Sequence, residues 1–182
     1  LNILGFNTSV DFTNPNSDST PPSPTSVTSS GWSIDDNDQP QINFTVVAED
    51  DLSGLQDKIL LELLSPTGTS IQRYGNKVAE NTYEFNFILN QYASSGEYPI
   101  NTIRLYDEAG NSNLSQDWIA NNLEGYELIN PNSDSTAATL NYINLAATFD
   151  EQSDRPILSI EGLATDDVSG VENVYLRLTR PS

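Results

Sequence analysis

The amino-acid sequence predicts an all-β fold of Greek-key β-sandwich repeats arranged in tandem, on two observations. The first is apolar alternation with period two: Ile42, Phe44, Val46 and Ala48 alternate with Gln41, Asn43 and Thr45, which places one apolar row on one face of a strand. The second is duplication. Asn14 to Thr20 reads NPNSDST, and Asn130 to Thr136 reads NPNSDST again, 116 residues later. The same offset superposes Asp38 on Asp154, Pro40 on Pro156 and Ala48 on Ala164, and the run Asp50-Asp51-Leu52-Ser53-Gly54-Leu55 on Asp166-Asp167-Val168-Ser169-Gly170-Val171. A one-residue shift after position 57 brings Ile59, Leu61 and Leu63 onto Val174, Leu176 and Leu178. Self-similarity at a fixed period marks a repeat architecture. The expected frame is residues 1–19 as the tail of a preceding repeat plus linker, 20–135 as one complete repeat, and 136–182 as the N-terminal part of the next, contributing its first three strands.

In chain order, the first strand is expected over Thr25 to Ser33, and the second carries the Ile42 to Ala48 alternation. Lys58 to Leu64 follows with Ile59, Leu61 and Leu63 inward, then Ser70 to Tyr74, and Thr82 to Leu89 with Tyr83, Phe85 and Phe87 inward. Tyr98 to Tyr106 comes next, its alternation slipping between Ile100 and Ile103 as a bulge would make it slip. Tyr126 to Ile129 closes the set. Turn chemistry separates them: Ser65-Pro66-Thr67-Gly68, Gly75-Asn76 and Ser94-Ser95-Gly96 supply Pro-fixed φ or glycine's tolerance of positive φ. One short helix is expected over Ser115 to Asn122, with Ser115 as N-cap and Asp117 near the positive helix end. Seven short strands in about 116 residues with these turns predict a Greek-key sandwich of the immunoglobulin type.

Composition narrows the chemistry. The 182 residues hold 7 Lys and Arg against 26 Asp and Glu, a net charge of −19, with no His, Cys or Met. Nucleophilic centres built on Cys-His or Ser-His-Asp, disulfides and zinc sites of nitrogen and sulfur ligands are therefore excluded. Seven basic residues in so negative a field cannot displace counterions from phosphates, so neither nucleic acid nor an anionic membrane is expected as partner. No apolar run approaches the roughly 20 residues that span a bilayer, which argues against membrane insertion. A carboxylate pair acting as acid and base is uninformative among 26 carboxylates, and no catalysis is expected. Low charged fraction with abundant Ser, Thr, Asn, Asp and Tyr suits an exported protein, secreted or on the cell surface.

Topology then places carboxylates. In a seven-strand sandwich the incoming linker, the turn from the second to the third strand and the turn from the sixth to the seventh lie at one end. The linker supplies Asn14, Asn16 and Asp18; the two turns supply Glu49, Asp50 and Asp51, and Asp107, Glu108 and Asn111. The next junction repeats the pattern with Asp134, Asp166 and Asp167. Carboxylates gathered in one loop cluster repel unless a cation neutralises them, and Ca²⁺ takes six to eight oxygens from carboxylates, amides and carbonyls. The expected metal ligands are Asp18, Glu49, Asp50, Asp51, Asp107 and Asn111 at one junction, and Asp134, Asp166 and Asp167 at the other. Asp and Asn are also favoured in turns for their local backbone hydrogen bonds. Ser53 and Gly54 serve to shape their turn, Gly110 supplies positive φ, and Asn111 either caps its loop or binds metal.

The segments DDLSGLQDKILLELLSPTG, SSGEYPINTIRLYDEAGN and DDVSGVENVYLRLTRPS resemble the immunoglobulin-like, cadherin-like repeats of large bacterial surface and exported adhesin-type proteins. The resemblance covers residues 14–182 and rests most on D-D-x-S-G and on D-x-A-G-N at Asp107 to Asn111. It implies a calcium-stabilised extracellular spacer or adhesive repeat, with neighbouring repeats of the same chain, and surface glycans or other cells, as partners. The alternative is a carbohydrate-binding accessory module of a secreted polysaccharide-active enzyme, for which exposed aromatics among Trp32, Tyr74, Tyr92, Trp118 and Tyr175 would form the sugar platform.

Overall fold

The computed structural model describes residues 13–179; the first twelve residues of the tail expected over 1–19 and the last three of the repeat expected over 136–182 lie outside them. The chain is built of β-structure with one short helix. In order, the elements are β1 (Ser23–Ser29), β2 (Ser33–Ile34), β3 (Pro40–Glu49), β4 (Leu60–Leu64), β5 (Ser70–Tyr74), β6 (Asn76–Ala79) and β7 (Thr82–Ile88). There follow β8 (Gly96–Tyr98), β9 (Ile100–Tyr106), β10 (Ser112–Asn113), α1 (Gln116–Asn122), β11 (Tyr126–Leu128), β12 (Thr139–Asp150) and β13 (Arg155–Thr165).

One antiparallel sheet runs β1-β3-β7-β6, with β2 also on β3, and a second runs β10-β9-β4-β5. Strands β11 and β8 form a small ribbon. The apolar rows of the two larger sheets meet in one core: Ile42, Phe44, Val46 and Ala48 from β3, Tyr83, Phe85 and Phe87 from β7, Leu61 and Leu63 from β4, and Ile103 and Leu105 from β9 are all buried. Phe44 meets the edges of Phe87 and Tyr126, with ring centroids 5.8 and 4.9 Å apart. Burial of this alternating row is what holds the two sheets together.

Three local expectations need correction. Gly75-Asn76 is a crossing between sheets rather than a turn that ends a strand pair: β5 belongs to one sheet and β6 to the other. A Cβ on Gly75 would lie 2.6 Å from the Phe85 ring, so only glycine lets the backbone pass this close. Tyr98 to Tyr106 is two strands, because Pro99 offers no N–H; its carbonyl accepts from Leu64 N at 3.0 Å while β8 turns to β11 and β9 to β4. The expected slip is real and falls at Asn101, which is skipped as Glu62 pairs with Thr102 and Leu63 with Ile100. Ser115 occupies the N-cap position of α1 in the left-handed region (φ 52) with no side-chain cap bond, and its buried hydroxyl lacks a partner. Asn113 Oδ1 accepts from Ser115 N instead, at 2.7 Å.

The duplicated sequence is duplicated in register. Ser23 pairs with Glu49 and Thr139 with Thr165; the β1/β3 ladder shifts between Pro24 and Ser26, and the β12/β13 ladder between Leu140 and Tyr142. Each pair from Ser23–Glu49 to Ser29–Phe44 recurs 116 residues later. Where β1 and β2 are separate, β12 runs on unbroken. Of the three strands expected after residue 136, β12 and β13 form, whereas Val174 to Leu178 lie exposed and outside any strand.

Candidate metal centre

Each NPNSDST segment folds the same way. Asn14 Oδ1 accepts from Asn16 N at 3.0 Å and Asn14 O from Ser17 N at 3.1 Å; Asn130 repeats both bonds to Asn132 N and Ser133 N at 3.1 Å each. These turns present one Asp apiece. Asp18 Oδ1 accepts from Thr20 N at 2.9 Å, and Asp134 Oδ1 from Thr136 N at 2.9 Å. The other carboxylate oxygen of each reaches across to the D-D-x-S-G turn: Asp18 Oδ2 accepts from Ser53 N at 3.0 Å, and Asp134 Oδ2 from Ser169 N at 3.1 Å.

The D-D-x-S-G turn is closed by its first Asp. Asp50 Oδ2 accepts from Leu52 N at 3.3 Å and Gly54 N at 2.7 Å, and Asp166 Oδ1 from Val168 N at 3.2 Å and Gly170 N at 2.9 Å. Gly54 and Gly170 both take positive φ, 84 and 77, which the turn demands and an L side chain resists. A third loop arrives from β9. Asp107 Oδ1 and Oδ2 accept from Asn111 N and Asn111 Nδ2, both at 2.7 Å, and Gly110 provides φ 92. A bridge from Leu55 to Asp107, with Gln56 N donating to Tyr106 O at 3.0 Å and Glu108 N to Gly54 O at 2.9 Å, fixes that loop against the turn.

The result is two groups of carboxylates. In each of the sets Asp18, Asp50, Asp107 and Asp134, Asp166, Asp167, one oxygen per residue lies within 4.8 Å of the others. Two oxygens on opposite sides of one Ca²⁺ at about 2.4 Å are about 4.8 Å apart, so either set has the span to share an ion. The donors are all hard oxygens, suited to Ca²⁺ or Mg²⁺. Asp107 is fully buried, and Asp50 Oδ1 is buried without any hydrogen-bond partner. Among the described residues the one ion pair joins Lys77 to Asp57 at 3.5 Å, so no basic side chain neutralises either group. Donation from Ser53 and Thr20 holds the Asp18 carboxyl below the usual range, and donation from Ser169 and Thr136 does the same for Asp134. Both are anionic near neutrality.

Of the residues singled out in the sequence, the structure brings six carboxylates into two groups of three, sets Asn111 against the first group and leaves Glu49 and Asp51 outside both. Glu49 ends β3 exposed, and Asp51 is exposed beside the first group without joining it. Asn111 turns its amide nitrogen to Asp107 Oδ2 and to Asp18 O, at 2.7 and 3.3 Å, so it positions the buried carboxylate. Gln56 carries no signal in the sequence, yet its Nε2 holds Asp107 O at 2.8 Å; its counterpart position carries Glu172, so repetition does not mark it. Trp32 and Trp118 pack against the core, Trp32 donating from Nε1 to Tyr126 O at 3.2 Å, while Tyr74 and Tyr175 are exposed. No helix among the described residues is long and apolar enough to cross a membrane. The chain finds no match among protein-family models, curated proteins or solved structures.

Proposed function

We propose that this chain is a non-catalytic extracellular spacer or adhesive region of a large bacterial surface or secreted protein, made of tandem immunoglobulin-like Greek-key repeats that Ca²⁺ stabilises at their junctions. The observation that carries the reading is the first carboxylate group: Asp18, Asp50 and Asp107 come from three loops to within 4.8 Å, with Asp107 wholly buried, Asp50 Oδ1 unpartnered and, among the described residues, no basic side chain paired with them. Burying anionic oxygens without a counter-charge is costly. A divalent cation removes that cost. The repeated bond pattern at Asp134 and Asp166 supports a second, equivalent junction.

Calorimetric titration of the full chain with Ca²⁺ tests this. The expected result is binding with Kd of roughly 10⁻⁴ to 10⁻³ M, the range of extracellular modules. Absence of heat and of any thermal shift at millimolar Ca²⁺ would leave these residues as solvated turns. Retention on a polysaccharide affinity gel would favour the carbohydrate-binding alternative, which has less behind it because both tryptophans face the core.

A further inference from the structure

The hairpin β12/β13 carries an apolar face that nothing among the described residues covers. Leu158, Ile160, Gly162 and Ala164 of β13 stand 116 residues after Ile42, Phe44, Val46 and Ala48 of β3, in the same register on their neighbour strand. The β3 residues are 0–1 % exposed, whereas Leu158 and Ile160 are 48 % and 43 % exposed. The edges differ as well. Strand β3 is flanked by β1 on one side and β7 on the other, but among the described residues β13 pairs with β12 alone. An apolar strand with one open edge is a template for another strand, and a two-stranded hairpin is marginal by itself.

We infer that the open edge of β13, over residues 157–163, receives an antiparallel strand whose aromatic residues alternate as Tyr83, Phe85 and Phe87 do in β7. The molecule itself supplies the template. Ile42 pairs with Phe87, Phe44 with Phe85, and Val46 with Tyr83; shifted by 116 residues, these rungs place aromatics opposite Leu158, Ile160 and Gly162. Gly162 stands where β3 has Val46 and so leaves room for a large ring at that rung. The incoming strand must differ from β7 at one position. Thr45 faces Glu84 in the existing ladder, but the β13 counterpart of Thr45 is Glu161, and like charges directly opposite destabilise a sheet. The partner therefore carries a basic or neutral residue facing Glu161. Main-chain bonds along the edge give affinity and the aromatic row gives register, as in other strand additions.

The test uses the isotope-labelled full chain and a synthetic peptide of residues 80–90 bearing E84K. Amide shifts confined to residues 157–163 are expected, with the peptide's N-terminal spin label broadening signals near Leu163. The peptide with Glu84 retained should bind about threefold or more weakly, from the cross-strand charge, and a peptide bearing F85E should not bind. The chain variant I160E should lose the interaction while the spectrum of residues 20–135 stays unchanged. Shifts in β3 or β7 in place of β13, or no shift at millimolar peptide, overturn the inference. Concentration-dependent dimerisation through β13 without peptide also overturns it, by assigning the face to a second copy.

Discussion

Replacing Asp50 by asparagine separates metal binding from turn formation. The carbonyl of the new side chain can keep the bonds that Asp50 Oδ2 accepts from Leu52 N and Gly54 N. Its amide nitrogen then occupies the place of Oδ1, which is buried and unpartnered, on a side chain that has one oxygen within 4.8 Å of an oxygen of Asp18 and of Asp107. Two unit charges at that separation repel by about 0.9 kcal/mol in water and about 3.5 kcal/mol at an effective dielectric of about 20. Asp107 is buried and Asp50 only partly so, hence relief from this one pair is worth about 1–2 kcal/mol. The expected outcome has two signs. In EDTA the variant melts higher than the parent, by about 4–8 °C. At free Ca²⁺ about ten times Kd the parent gains about 1.4 kcal/mol per site, and the variant loses the share belonging to this site. Scanning calorimetry at matched ionic strength in EDTA and in Ca²⁺ measures both. A variant that melts lower than the parent in EDTA, and keeps its full Ca²⁺ response, would refute the electrostatic reasoning.

Glu62 gives the pH test: the Ser70 hydroxyl first, and the Asn101 and Gln72 amides after it, hold its carboxyl at about 2, well below the usual value. A folded pKa below the unfolded one stabilises above about pH 4.5 and fades as pH falls towards about 2, so E62Q should flatten the stability profile across that window in acid titrations followed by circular dichroism. Phe85 is 2 % exposed and its ring closes on Gly75, so F85A should cost about 3–5 kcal/mol in urea unfolding; a loss under about 1 kcal/mol would show that the two sheets are not held by this row.

Strands are legible where burial sets them. The rows of β3 and β7 alternate because one face of each meets the core, β4 buries Leu61 and Leu63 with Leu60 buried as well, and the bounds expected for Ser70 to Tyr74 are those of β5. Strand β6 leaves no such trace, since Asn76 to Ala79 are all exposed and owe their conformation to pairing with the edge of β7. The helix is legible but its cap is not: with Ser115 in a left-handed conformation its hydroxyl makes no bond to the helix N–H groups, and Asn113 takes the bond from Ser115 N. At the site, topology is enough to gather Asp18, Asp50 and Asp107 from positions up to 89 residues apart. It is not enough to choose between adjacent carboxylates. Asp50 turns inward because Gly54 N captures it, an event of one turn's geometry that neither spacing nor composition reports.

The two carboxylate groups also differ in what a cation would hold. Asp18, Asp50 and Asp107 belong to the linker and to two separate turns, whereas Asp166 and Asp167 are neighbours in one turn and only Asp134 comes from elsewhere. A cation at the first group closes two long loops, which restrains the unfolded chain and stabilises the sheets on both sides of the core. At the second it closes one. That second closure falls on the linker itself. Asp134 N donates to Tyr92 O at 3.0 Å and Asp134 O accepts from Ser94 Oγ at 3.3 Å, while the carboxylate of the same residue accepts from Ser169 N at 3.1 Å. The backbone of Asp134 is thus anchored on one side of the junction and its side chain on the other. Charge bound at Asp134, Asp166 and Asp167 would resist bending at that point, which is what the proposed spacer function requires of it.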